Sequence, residues 1–139
     1  MTRPRQMQLT AQICRQFDSA LGEVLGHLPA ELISLFDEIP LVVENQPSEQ
    51  MLTKLQIDRP ERLRGLHTGT PLTRRSVHHS GVLPTVITIY RLGICLAAAA
   101  RDGRINPDVL KREIRKTVLH ELGHYFGMTE ADLRRHGYG

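Results

Sequence analysis

Asn106-Pro107-Asp108-Val109-Leu110-Lys111-Arg112-Glu113-Ile114-Arg115-Lys116-Thr117-Val118-Leu119-His120-Glu121-Leu122-Gly123-His124-Tyr125-Phe126-Gly127 is the stretch on which the reading of the whole chain turns. Its start is marked three times over. Asn106 suits an N-cap, Pro107 the first helical position, and Asp108 places negative charge at the positive end of the helix dipole. The pattern predicts a helix from Pro107 to about Phe126 that stops at Gly127. On a helical wheel, Leu110, Ile114, Val118, Leu122 and Tyr125 form an apolar stripe on the Glu121 side, with Arg112 and Lys116 on the opposite, exposed side.

The same helix carries His120-Glu121-Leu122-Gly123-His124, a complete HExxH. At 3.6 residues per turn the two histidines lie about 40° apart, so both imidazoles point the same way and can share one tetrahedral zinc ion. Glu121 lies about 100° from His120 and about 60° from His124. There its carboxylate flanks the ion and can take a proton from an activated water. A catalytic zinc has three protein ligands and one open position, so a third donor is needed. After the reversal that Gly127 permits, the next donors are Glu130, Asp132 and His136. In the extended HExxHxxGxxH pattern of metzincins the third ligand falls three residues past the glycine, a position that makes Glu130 the first choice here and leaves Asp132 and His136 as the alternatives. Thr129 to Asp132 also reads as a capped helix start, with Asp132 completing a capping box and Glu130 complementing the dipole. The two readings are compatible, because a capped turn can aim Glu130 at the ion.

Upstream, Leu9 to Leu28 shows apolar spacings of three and four, an amphipathic helix ended by Pro29. A turn of helix is expected within Leu32 to Phe36. Leu41 to Glu44 reads as a strand followed by a turn at Asn45 to Ser48, and Leu63 to His67 as a short second strand. Thr68 to Pro84 reads as a long loop containing His78 and His79, of the kind that gates a site or moves. Thr85 to Tyr90 is the clearest strand, and Leu92 to Arg101 an alanine-rich helix closed by Asp102-Gly103. His27, His67, His78 and His79 are expected to influence access rather than to coordinate metal.

The chain has 139 residues, enough for one domain with a real core and too few for a second module. Residues 1–139 are therefore expected to form a single domain with residues 1–8 as a flexible N-terminal tail. The net charge is +3, but the basic residues are scattered and aromatics are scarce, so the pattern does not argue for a nucleic-acid partner. No signal-peptide core follows the basic N-terminus, and the longest apolar run, Ile94 to Ala100, falls far short of a bilayer span. A cytoplasmic protein without a membrane partner is expected. Cys14 and Cys95 lack CxxC spacing and read as small core residues. The oligomeric state is not legible at this level.

These segments together resemble the small bacterial zincin-like metallopeptidases built on a minimal metalloprotease-like domain, over roughly Phe17 to Leu133. The resemblance runs through Leu28-Pro29-Ala30-Glu31-Leu32, Val42-Val43-Glu44, Gly65-Leu66-His67-Thr68-Gly69, Leu83-Pro84 and Ile87 to Arg91. Its specific part is His120 to Glu130. It implies a compact α+β, reduced zincin fold in which a strand like Thr85 to Tyr90 lies beside the active-site helix and pairs with an extended peptide. It also implies an acidic third ligand, more often aspartate than the glutamate found here. No methionine turn follows Glu130, so the metzincin register applies to the ligand and not to the whole domain.

The expected function is zinc-dependent hydrolysis of peptide bonds in a peptide or protein substrate, with Glu121 as general base and His120, His124 and Glu130 on the metal. The alternatives are a zinc hydrolase of a non-peptide substrate such as RNA, and a zinc-binding regulatory module without turnover. Retention of Glu121, which metal binding alone does not require, argues for chemistry.

Overall fold

A computed structural model describes residues 7–69 and 85–135. Helix α1 (Ala11–Gly26) opens with the Thr10 hydroxyl accepting a hydrogen bond from the Ile13 N–H, and it buries Phe17, Ala20, Leu21 and Val24. A four-residue α2 (Ala30–Ile33) runs into a 3-10 turn at Ser34–Asp37. Strand β1 (Leu41–Glu44) follows, as its β-branched centre predicts. Helix α3 (Glu49–Leu55), capped by Ser48, was not anticipated. Its signals were the capping serine and Glu49 in the first turn, on a segment with little apolar periodicity. A second 3-10 turn (Pro60–Arg62) leads into β2 (Gly65–Thr68), two residues later than the expected strand.

Strand β3 (Val86–Tyr90) passes directly into α4 (Arg91–Ala98). The alanine run does not stay helical to Arg101: Ala99 is extended and pairs antiparallel with Ile105, around a turn in which Gly103 has φ +85°. Tertiary pairing here overrides alanine's helix propensity. Helix α5 (Pro107–Tyr125) and the short α6 (Glu130–Arg135) complete the described chain.

Among the described residues the sheet has three strands in the order β1-β3-β2, with β1 parallel and β2 antiparallel to β3. The expectation that the Thr85 to Tyr90 strand pairs with substrate is therefore corrected. Its backbone groups are taken up on both sides, which leaves none for a third partner. The antiparallel edge is β2. Helix α5 packs on α1, α4, β2 and β3, and its stripe of Leu110, Ile114, Val118 and Leu122 is at most 2% exposed. Around it lie Phe17, Ile87, Ile89, Ile94 and Cys95, all fully buried. Each such side chain contributes roughly 1.5–3 kcal/mol by leaving water, and together they hold α5 against the sheet. The result is the α+β architecture expected from the sequence.

Within the expected tail, Met7 packs partly buried against this core, and residues 1–6 lie outside the described residues. Most of the expected long loop, residues 70–84 with His78 and His79, also lies outside them. Cys95 is buried, and burial, with Cys14 nearby, pushes its thiol up to about 12. Among the described residues no helix is long and apolar enough to cross a membrane.

Candidate metal centre

The site sits on the last turns of α5, a helix fixed at both ends. At its start the Asn106 carboxamide oxygen accepts from the N–H groups of Asp108 and Val109, at 2.9 and 3.2 Å. At its end the chain closes in a Schellman arrangement. The Gly127 N–H donates to the His124 carbonyl at 3.0 Å and the Met128 N–H to the Gly123 carbonyl at 2.9 Å, with Gly127 at φ +81°. That left-handed residue turns the chain back across the last helical turn, where His120 and His124 project.

The next helix then aims its first side chain. The Thr129 hydroxyl accepts from the Asp132 N–H at 3.1 Å, and the Thr129 N–H donates to the Asp132 carboxylate at 3.0 Å. These bonds, with a contact from Arg135, hold the Asp132 carboxyl below its usual pKa. Asp132 is thus committed to the cap, and His136 lies outside the described residues. Glu130, in the same turn, reaches the histidines: its Oε1 is 2.9 Å from His124 Nε2 and 3.5 Å from His120 Nε2. The two Nε2 atoms are 3.0 Å apart, with the rings nearly perpendicular at 78°. All three donor atoms lie within 4.8 Å of one another.

These separations fit a metal. Ligand atoms about 2.0–2.2 Å from a tetrahedral zinc are roughly 3.3–3.5 Å from each other, so the observed 2.9, 3.0 and 3.5 Å need adjustments of only a few tenths of an ångström. Two imidazole nitrogens and a carboxylate are also the donor set zinc prefers at a site that leaves one position open.

Glu121 is 7% exposed, and its Oε2 is buried without a hydrogen bond. An ionised carboxylate in that state is costly unless something compensates it. His67 supplies part of that compensation: its Nδ1 lies 3.6 Å from Glu121 Oε2, and its ring stacks on His124 at 5.8 Å between centroids. The pull of the Glu121 carboxylate holds the His67 imidazole above its usual pKa, against the opposing effect of burial. Sequence reasoning placed His67 among the outlying histidines. Its signal was faint, since only the register of β2 against β3 decides which way residue 67 faces.

That register also explains Gly65. The Tyr90 N–H donates to the Arg64 carbonyl at 2.8 Å, and antiparallel pairs alternate, so Leu66 and Thr68 turn their backbone groups toward β3. Gly65 and His67 turn theirs outward. Their side-chain positions face α5, and a Cβ at residue 65 would lie 2.9 Å from Thr117 Cγ2 and 3.1 Å from Glu121 Cγ. The close approach of β2 to the HExxH turn depends on that missing atom.

Beside Glu121 opens a cavity of about 390 Å³, walled by Arg62, Arg64, Gly65, Lys116, Thr117 and His120 among others. Lys116, expected on the exposed side of the helix, is half-buried in this wall. The helical wheel ignores the Arg62 to Gly65 segment, which folds over that flank.

The sequence model of the zincin-like metallopeptidase family matches residues 36–138. The chain belongs to this family. The matched span holds the strands, the HExxH helix and Glu130, and it begins later than the resemblance read from the sequence, at residue 36 rather than near Phe17. Zincin-like metallopeptidases are hydrolases of peptide bonds whose usual metal is zinc, and this chain's convergent histidines and carboxylate could hold a metal ion. No curated protein matches the chain.

Proposed function

We propose that the chain is a zinc-dependent peptidase in which His120, His124 and Glu130 hold the metal and Glu121 is the general base. The observation that carries the reading is the convergence of three donors beside a buried carboxylate oxygen with no hydrogen bond of its own. When bound, zinc supplies Lewis-acid chemistry, acidifying water and polarising a carbonyl.

The protein's residues do the rest. An extended peptide lies along β2, whose outward backbone groups at Gly65 and His67 hold it in register. Glu121 accepts the proton of the attacking water and returns it to the departing amine nitrogen, so the carboxylate is regenerated in each cycle. His67 steadies the carboxylate through contact at Oε2.

The test is zinc content per chain in protein purified without chelator, compared with His124→Ala and Glu121→Gln. About one zinc is expected in the parent and in Glu121→Gln, and almost none in His124→Ala. Peptide turnover should fall about 10²–10⁴-fold in Glu121→Gln, the usual contribution of a general base. No zinc in the parent after addition of excess metal would overturn the reading, as would undiminished turnover in Glu121→Gln.

A further inference from the structure

The cavity beside Glu121 carries charge that the reaction itself does not use. Arg62 lies 3.1 Å from Asp58 and Arg64 lies 3.1 Å from Glu113, so each guanidinium on the wall has a carboxylate partner. Lys116 is different. It is half-buried in the same wall, one helical turn before His120, and among the described residues it makes no ion pair. Glu121, the acidic group on the wall, is met from across the site by His67. A lysine half-buried on the cavity wall, with no ion pair among the described residues and within one helical turn of the chemistry, favours an anionic group in the space before it.

The cavity holds about 390 Å³, room for one or two residues of a peptide, and it opens beneath the edge of β2 where Gly65 presents its backbone. We propose that this cavity is a specificity subsite that receives a carboxylate of the peptide substrate, bound by Lys116 and flanked by Arg64. The proposal rests on the peptidase reading for the identity of the substrate. The carboxylate comes either from an Asp or Glu side chain near the scissile bond or from the peptide's own C-terminus. The first makes the protein an endopeptidase selective for acidic residues, the second a carboxypeptidase.

The experiment uses fluorescein-labelled alanine-based hexapeptides with Glu scanned through each position. Each is paired with its Gln counterpart, and each is made with a free and an amidated C-terminus. Binding is read by anisotropy on zinc-loaded Glu121→Gln, which requires no turnover, and cleavage by mass spectrometry on the zinc-loaded parent. A charge-assisted contact of this type should favour the carboxylate form about ten-fold. A Glu-over-Gln preference at one position marks a side-chain carboxylate; a free-over-amidated preference marks the C-terminus.

In Lys116→Met, which keeps the aliphatic stem, that ratio should collapse to about one, and in Lys116→Glu a peptide with Lys at the same position should become the better ligand. Circular dichroism and zinc content equal to the parent's will show that both variants are folded. If the preference appears in binding while no peptide is cut, the subsite stands and the peptidase reading fails. Equal binding of the charged and neutral peptides, no binding of either, or a preference that survives Lys116→Met would overturn the subsite. So would an oligoribonucleotide that displaces the peptide more strongly than free glutamate peptides do, because the cavity would then be a phosphate site.

Discussion

Gly65→Ala tests how the site is assembled. The added methyl would sit 2.9 Å from Thr117 Cγ2 and 3.1 Å from Glu121 Cγ, both closer than carbon atoms ordinarily pack. Thr117 cannot simply rotate away, because its hydroxyl donates to the Glu113 carbonyl at 2.8 Å and rotation would break that bond. Overpacking of this kind costs about 1–3 kcal/mol, and replacing a strand glycine by alanine returns about 0.5–1 kcal/mol. The net loss should be about 1–2 kcal/mol. With a urea slope near 2 kcal/mol/M, the unfolding midpoint should fall by roughly 0.5–1 M. Adding Thr117→Ser removes the clashing methyl and keeps the hydroxyl. A double-mutant cycle should therefore show a favourable coupling of about 1 kcal/mol between the two positions. Because the displaced strand presses on Glu121 and not on the histidines, peptide turnover should drop more than zinc content. If Gly65→Ala is as stable as the parent, or if Thr117→Ser gives no recovery, β2 does not sit against the HExxH turn as described.

Thr129→Ala removes the hydroxyl that accepts the Asp132 N–H; it should cost about 1 kcal/mol of local helix stability and weaken zinc binding several-fold in a competition titration, because α6 then aims Glu130 less firmly. Cys95, with its thiol near 12, is thiolate in only about one molecule in 10⁴ at pH 8. A thiol reagent should therefore titrate Cys14 alone in the native protein and both cysteines after denaturation. The raised pKa of His67 means that the folded state binds its proton more tightly than the unfolded chain does. The resulting stability is full below about pH 6.5 and is lost as pH rises through the higher folded value. Metal-free protein should accordingly lose more stability above pH 6.5 than metal-free His67→Ala, as read from denaturant melts at stepped pH.

Short-range rules made one part of the chain legible. Cap, first-turn proline, apolar stripe, HExxH and the terminal glycine of α5 are all local patterns, and their spacing alone puts two imidazoles on one face of a buried helix. Strand β1 and the Thr129 to Asp132 capping box are read the same way, because each is set by residues three or four positions apart or fewer. The joining of Glu130 to the histidines was also within reach, since Gly127 and the following cap lie within six residues of His124.

What joins the site to the sheet was decided by long-range pairing. Which strand is central, and hence that β2 and not β3 is an edge strand among the described residues, depends on a parallel β1–β3 ladder between segments more than forty residues apart. The same pairing turns Gly65 and His67 toward α5, brings His67 to Glu121 across 54 positions of sequence (121 − 67), and makes Lys116 share a cavity wall with Arg62, Arg64 and Gly65. A residue's helical or strand period tells which neighbours share its face. It does not tell what lies opposite that face, and at this site the opposite wall brings His67, Gly65 and Arg64 against α5.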